Sequence, residues 1–497
     1  MGFPVSGAVG TIVLLFYTVM TGASISALRA LIMFSVRMGA EVTGRDYDLP
    51  TSLAVAAALL SAKDPLCLSD AGFLFSFGSL CGICMLTPLF ECLFGCGTEK
   101  KNIWTHMGKA VSASLAVNLF LLGPMLYFYF ETPPYSVFLN LFVIPALPVI
   151  MGTGLSGSVM ILLVKPIGII LLKSSGVILW AYDRLCSAAV MLPFGRITAG
   201  KPSVQLLVAY YVILFALYGM YRRFPKKIWG YMLFVSAAFL IVLCGAKTRD
   251  IEGIKITVLD VGQGDGIVLS GKGKNYLIDG GSSDVKQAGA QRIEPYLLSE
   301  GIGCLDYVFV THGDEDHISG LKELLLQGKL TQIKVRTVVF SAYVFQDAAL
   351  AELEAVIRAA GITIVWMREG DVIGDDTFTL TCLHPTAEYR AKDKNAASLA
   401  LAYHSDTFDM LFTGDMDADA VADMDIQQDY DCIKLPHHGS KYSYVEGVYA
   451  HADYGLISCG YNNRYGHPHT EVLQGLAQEG SKVLRTDEMG AVVFRGR

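Results

Sequence analysis

The stretch THGDEDHISG, residues 311–320, sets two histidines and three acids between His312 and His317. Imidazole nitrogens and carboxylate oxygens are the usual protein donors to divalent cations. Residues this close on a tight loop aim in different directions, so His312 and Asp314 are offered to one ion and Asp316 and His317 to another. Asp415, in MLFTGD, is the natural carboxylate to bridge them. A pair of such ions can hold both the attacking and the leaving oxygen of a phosphoryl displacement.

Residues so far apart in sequence need a rigid scaffold to bring them together. IKITVLDVGQGDGIVLS reads as two β-rich runs, Ile254–Leu259 and Gly266–Ser270, around a glycine-rich turn. NYLIDGGSS is a strand ending at Asp279, RIEPYLLSEGI is helical, and DYVFVTH is a buried strand that delivers His312. Further strands are predicted at 335–341, 362–367, 377–383, 398–404, 408–413, 432–435 and 455–458, with helices near 347–360, 417–424 and 470–479. His312, Asp415, His437 in IKLPHHGS and the YGHPH loop all follow apolar runs. Strand ends gathered at one edge would converge on one pocket, and the alternation suggests layered sheets covered by helices. Asp260, Asp265 and Asp279 either shape tight turns or support metal ligands from behind. The run DMDADAVADMDIQQDYD lacks the ligand spacing of a calcium loop and reads as a solvated acidic face.

The rest of the chain is of another kind. Its 497 residues could hold roughly two to four domains. Residues 1–250 hold 18 Lys+Arg against 10 Asp+Glu, net +8, and residues 251–497 hold 21 against 36, net −15, which together give the −7 of the whole chain. The boundary predicted is a membrane domain over 1–247 and a soluble domain over 251–497. Apolar runs at Ser6–Gly22, Asp70–Leu89, Ala110–Tyr129, Tyr135–Met151, Ser203–Tyr221 and Ile228–Ala246, with a less divisible region from Leu155 to Leu192 that looks like two helices, suggest roughly seven to nine crossings. Ser24–Met38, with Arg29 and Arg37, and Thr51–Ala62 read as amphipathic connectors or interfacial pieces. An arginine at membrane depth would have to face protein or water. The basic loops at Lys100, Lys101, Lys109 and at YRRFPKK are expected in the cytoplasm, so that one further crossing places everything after Ala246 outside. Cys304, Cys382, Cys432 and Cys459 make no metal-binding pattern, and their pairing is not readable.

LDVGQGD, LIDGG, THGDEDHISG, LFTGDM, LPHHGS and YGHPH, in this order, resemble the extracellular metallo-β-lactamase-like domain of ComEC-type competence proteins, the DNA-uptake channels. TGASISALRALIMFSVRMGA and DPLCLSDAGFLFSFGSL resemble the membrane domain of the same family. The resemblance covers nearly the whole chain and implies a polytopic α-helical membrane domain followed by an αββα metallo-β-lactamase-like sandwich. Family members usually carry further N-terminal helices and a small β-barrel domain; neither is visible before Met1, which reads as a truncated chain, a misassigned start or a shorter version of the family protein.

Several expectations follow from the resemblance. His437 is a further metal ligand, with His438 the alternative. Asp316, His438 and His467 take catalytic roles, and Ser440, Lys441, Tyr465 and His469 hold a phosphate or the leaving group. The third histidine usual in the fold is replaced by KNAASLALAY, where Asn395 reaches the metal or positions the loop, with His384 as another candidate. Asp314 stands where H-x-H-x-D-H has its second histidine. A carboxylate there hardens the site and favours Mn²⁺, or Mg²⁺, over Zn²⁺. The implied partners are single-stranded DNA, the lipid bilayer of a bacterial inner membrane, and competence proteins such as a DNA receptor and a helicase or ATPase. A hydrolase of another ester, or a domain that binds DNA without cutting, are the competing readings. The net −15 of the soluble part is itself unfavourable for DNA, whose binding normally neutralises phosphates with Lys and Arg.

Overall fold

The computed structural model describes residues 3–96, 103–225, six positions within 231–242, and 254–326, 333–343, 347–374, 378–424, 426 and 428–496. The chain divides into two compact units, 1–247 and 248–497.

The first unit is helical: α1 (Phe3–Met20), α2 (Ile25–Val42), α3 (Leu49–Lys63), α4 (Ala71–Leu93), α5 (Ile103–Phe128), α6 (Ser136–Leu163), α7 (Lys165–Met191) and α8 (Val204–Arg223). Among the described residues five, α4 to α8, are long and apolar enough to cross a membrane. All but six positions of the run at 228–246 fall outside them, as do Lys100 and Lys101. The region from Leu155 to Leu192 differs from expectation. It adds one new helix, because α6 continues through Pro145 and Pro148 to Leu163 and the only break is at Val164, just before Pro166. The two connector-like pieces are regular helices, α3 starting on an Asp48 side chain that accepts from the Thr51 N–H. Arg29 does face protein: it donates to the Ser76 carbonyl at 2.7 Å and lies 6.0 Å over the Phe77 ring. A two-residue pairing of β1 (Glu131–Thr132) with β2 (Ile197–Thr198) had no signal in the sequence.

The second unit contains two seven-stranded sheets. One holds β3 (Ile254–Val258), β4 (Ile267–Gly271), β5 (Lys274–Ile278), β6 (Cys304–Phe309), β7 (Lys334–Ser341) and β8 (Thr363–Met367), in that order, with the last strand of the chain, β16 (Val492–Arg495), beside β3. The other holds β9 (Val372–Gly374), β10 (Phe378–His384), β11 (Ala400–Ser405), β12 (Phe408–Phe412), β13 (Tyr430–Lys434), β14 (Ala452–Ile457) and β15 (Lys482–Arg485). Both sheets change character halfway. Strands β16 to β5 and β9 to β12 are antiparallel to their neighbours, whereas β5 to β8 and β12 to β15 run parallel. Parallel neighbours point their C-terminal ends to one edge, which is where α/β sheets place their ligands.

Alternate residues of both sheets meet in one core, among them Ile256, Leu269, Tyr276 and Phe309 from one and Leu380, Leu401, Met410 and Cys432 from the other. The opposite faces are covered by helices. Ile318, Leu321 and Leu324 of α10 (Glu315–Leu326) and Leu353 and Ile357 of α11 (Ala348–Ala359) pack on the first sheet, after a short α9 (Glu294–Ser299) that contributes Leu297. Beyond the six-residue α12 (Ala418–Asp423), Val472 and Leu476 of α13 (Thr470–Glu479) pack on the second sheet. The layers are therefore helix, sheet, sheet, helix. The predicted strands are present within a few residues, but β9, β15 and β16 were not foreseen: they are short edge pieces of three or four residues, too brief to show a period. Cys304, Cys382, Cys432 and Cys459 are free thiols, the last three buried.

Candidate metal centre

The parallel strands deliver the polar residues. Asp279 follows β5, Thr311 and His312 follow β6, Asp415 follows β12, His437 and His438 follow β13, and Ser458 follows β14. Asp316 and His317 lie in the first turn of α10, where acids suit the helix dipole. Glycine makes the close approach possible: a Cβ on Gly281 would sit 2.5 Å from the Glu315 carbonyl oxygen and 2.6 Å from the His317 nitrogen.

Three histidines are held by one ring nitrogen and present the other. His317 Nδ1 is 2.8 Å from Asp279 Oδ2, and His438 Nδ1 is 2.8 Å from the Ser458 carbonyl oxygen. His312 Nδ1 is 3.0 Å from Thr311 Oγ1, which itself donates to Asp279 Oδ2 at 2.7 Å. A hydrogen on each Nδ1 leaves a lone pair on each Nε2, the arrangement of metal-binding imidazoles. The Nε2 atoms of His312, His317 and His438, and Asp415 Oδ1, are all buried without a hydrogen-bond partner. Orphaned acceptors are costly in a protein interior, and these converge: His312, His317 and Asp415 offer atoms within 4.8 Å of one another, as do Asp316, His317 and His438, and Asp265, Asp415 and His438. The donor set fits divalent cations.

His312, Asp316, His317 and Asp415 come together. His438 joins them, 3.4 Å from Asp316 and 3.5 Å from Asp415, whereas His437 Nε2 is 3.9 Å from Asp415 and belongs to none of the close groups. Of the two neighbouring histidines, the geometry therefore favours His438 over His437 as a donor to this cluster. Both residues and Gly439 have positive φ, so the chain turns sharply and sends His438 inward. Asp314 also falls outside the close groups; it is 3.6 Å from His312 Nε2, and its other oxygen is in contact with the Lys394 ammonium. Asp265 and Asp279 lie beneath the histidines, but Asp260 only closes its own loop on the Gly262 N–H. Asn395 accepts the Ser398 N–H with its backbone carbonyl, and it is Ser398 Oγ that receives the Asp415 N–H at 3.2 Å. His384 gives its Nδ1 to the Ser398 carbonyl at 3.1 Å and lies outside the cluster.

An open cleft of about 300 Å³ leads to the cluster, lined on one side by Asp314, Glu315 and Asp316 and on the other by His437, Arg464, Tyr465 and His467. Tyr465 stacks on His467 with rings 5.7 Å apart, and the Arg464 guanidinium is 4.7 Å over Tyr465. Ser440 is buried; Lys441 lies 3.8 Å from Glu471, and its N–H donates to His469 Nδ1 at 3.3 Å, so these three do not line the cleft.

Sequence reasoning missed Thr311, Ser398, Ser458 and above all Lys434. Its ammonium is buried, 2.5 Å from Asp265 and within reach of the Gly414 carbonyl. No motif marks it, since a lysine ending an apolar strand looks like an exposed terminus. Burial opposes charge on Lys434, but Asp265 outweighs it and its pKa rises. Burial alone would lower His317 and His438; Asp415, with Asp279 beside the first and Asp316 and Asp265 beside the second, raises both. Burial likewise opposes charge on Asp314, yet His312 and Lys394 bring it down to about 2. His467 is lowered to about 4 by burial and by His438, His437 and His469, so at neutral pH it carries no extra proton to give to a leaving oxygen.

Helix–sheet–sheet–helix layers with a His/Asp cluster at the strand ends make the second unit a metallo-β-lactamase-fold domain, and the model of the metallo-beta-lactamase superfamily matches residues 259–387. The model described as Competence protein matches residues 4–224. Both domains thus occur in one chain, in the order that the resemblance to ComEC-type competence proteins implies. ComE operon protein 3 of Bacillus subtilis is 26% identical over 503 residues, covering 96% of this chain and 62% of that protein. Competence protein ComA of Neisseria gonorrhoeae is 26% identical over 491 residues, covering 97% and 63%. The chain thus spans less than two thirds of the length of these relatives. Among solved structures, the metallo-beta-lactamase fold protein YhfI from Bacillus subtilis is 13% identical, with a TM-score of 0.35, over 49% of this chain and all of that one.

Proposed function

We propose that this is an inner-membrane DNA-uptake protein whose second unit, outside the cytoplasm, hydrolyses DNA phosphodiesters with divalent ions. The observation that carries the catalytic part is the convergence of the orphaned His312, His317, His438 and Asp415 atoms at the end of an open cleft. The competence relatives supply the nucleic-acid part.

Asp316, His317, His438 and Asp415 would hold one ion, and His312, Asp314 and Asp415 the other. When bound, such ions polarise a phosphoryl oxygen and lower the pKa of a water. The chain's own groups do the rest. Asp279 and the Ser458 carbonyl fix the tautomers of His317 and His438, keeping Nε2 free of hydrogen. Gln263 Nε2 lies 3.5 Å from His467 Nδ1, which leaves the neutral ring's Nε2–H to hydrogen-bond a phosphoryl oxygen. Arg464 adds positive charge at the mouth, and Tyr465 offers a ring face for a base. Three carboxylates and oxygen-rich chemistry favour Mn²⁺, with Mg²⁺ behind it.

The membrane side is supported by counting. Four helices, α5 to α8, separate the basic residues around Lys109 from Arg222 and Arg223. An even number of crossings returns the chain to the same face, as the positive-inside bias asks of both.

The test is cleavage of single- and double-stranded DNA by the detergent-solubilised chain after chelation, with Mn²⁺, Mg²⁺ or Zn²⁺ added back. Cleavage should return with Mn²⁺ and be absent from Asp316→Ala. A folded, metal-loaded protein that cuts neither substrate would exclude the nuclease reading.

A further inference from the structure

Resting on the metal reading above, a second feature concerns how the two halves of the site fill. Of the residues between His312 and His317 that sequence offers as ligands, only Asp314 stands outside every close group of donors. One of its oxygens is taken by Lys394, and the other is 3.6 Å from the unpartnered His312 Nε2. Lys394 comes from KNAASLALAY, the segment that stands in place of another ligand, and it lines a narrow recess with Thr311, His312 and Ala397. The other half is different. Asp316, His317, His438 and Asp415 face one another with no lysine in contact with Asp316 or Asp415 among the described residues.

We infer that Lys394 is the resident cation of the His312–Asp314 half, so that the protein binds one divalent ion tightly and a second only when the Lys394 ammonium leaves Asp314. An ammonium seated on a carboxylate both occupies the donor oxygen and cancels the charge that would attract the ion. The second ion therefore binds against a competitor that is covalently part of the chain. Lys394 sets the metal stoichiometry, and hence the metal concentration at which the complete centre forms.

The experiment is titration of the detergent-solubilised full chain with Mn²⁺, read by calorimetry and by the electron paramagnetic resonance of bound Mn²⁺. In the natural chain one ion should bind first, with an isolated-ion spectrum, and the second about ten-fold or more weakly, as expected when a charged hydrogen bond must be broken. Lys394→Met should tighten the second site until two ions bind together with a spin-coupled spectrum. Lys394→Arg, which keeps the charge, should preserve the unequal sites. Lys394 is half-exposed, so neither change threatens the core. Two equal sites in the natural chain, or an unchanged second affinity in Lys394→Met, would overturn the inference. Failure to bind any ion would overturn the metal reading with it, whereas unequal binding without DNA cleavage would uphold the inference and remove only the nuclease.

Discussion

At the scale of single residues, the protonation of His317 and His438 governs the centre. Neighbouring carboxylates raise both above the ordinary histidine value, and each must be unprotonated on Nε2 to bind an ion. Below the raised pKa values protons compete with the metal, and above them the competition ends. Mn²⁺ affinity should therefore fall as pH drops from 8 to 6, by up to about ten-fold per unit for each proton displaced. Calorimetry in two buffers of different ionisation enthalpy would count the protons released; a flat affinity would contradict the assignment. The histidine pair gives a second prediction. His438→Ala should weaken Mn²⁺ binding at least about 100-fold, the upper cost of losing even a group that only supports a ligand, and His437→Ala should change it little. Equilibrium dialysis distinguishes them, and the reverse order would restore His437 as ligand. Most of the donors that the structure brings together, His312, Asp316, His317 and Asp415, were legible from type and spacing, because donors cluster in short motifs. Which of two adjacent histidines turns inward was not, because that depends on the left-handed backbone at both. Lys434 and Lys394 were equally invisible, each defined by a partner 169 or 80 residues away in Asp265 and Asp314.

Among the elements, the decisive contact is between the loop after β5 and the first turn of α10. Gly280 donates to the His317 carbonyl at 2.7 Å, and Asp265 donates to the Asp316 carbonyl at 3.0 Å. A side chain at Gly281 would collide with backbone rather than a flexible group, so Gly281→Ala has to push the Asp316–His317 turn away. The expected result is a loss of Mn²⁺ affinity of roughly 10–100-fold with the sheets still formed, checked by metal titration beside circular dichroism. Unchanged affinity would show the approach to be dispensable. Strands of five or more residues were readable from their apolar runs, whereas the edge strands β9, β15 and β16 take their form from the neighbours they pair with. In the membrane unit, apolarity marks helices well but not where one ends, and the continuation of α6 past Met151 changed the count of crossings.

For the whole molecule, the two units divide the labour that composition announced: an apolar, basic one and an acidic one bearing nine of the ten histidines. On the proposed reading, the charge conflict with DNA would be eased at the site itself, where bound ions, Arg464 and the aromatic face of Tyr465 would meet the substrate beside Asp314, Glu315 and Asp316. Past Asp415, several aspartates of the acidic run have partners outside the centre: Asp417 caps α12 and, with Asp419, contacts Lys392, while Asp429 meets His451. The central claim, an external metal-dependent nuclease carried by a DNA-uptake membrane protein, is tested most directly by giving end-labelled DNA to intact cells producing the chain and measuring label released to the medium. Release should require Mn²⁺, stop on chelation and be absent with Asp316→Ala. Release only after lysis, or equal release from the Asp316→Ala cells, would contradict the account.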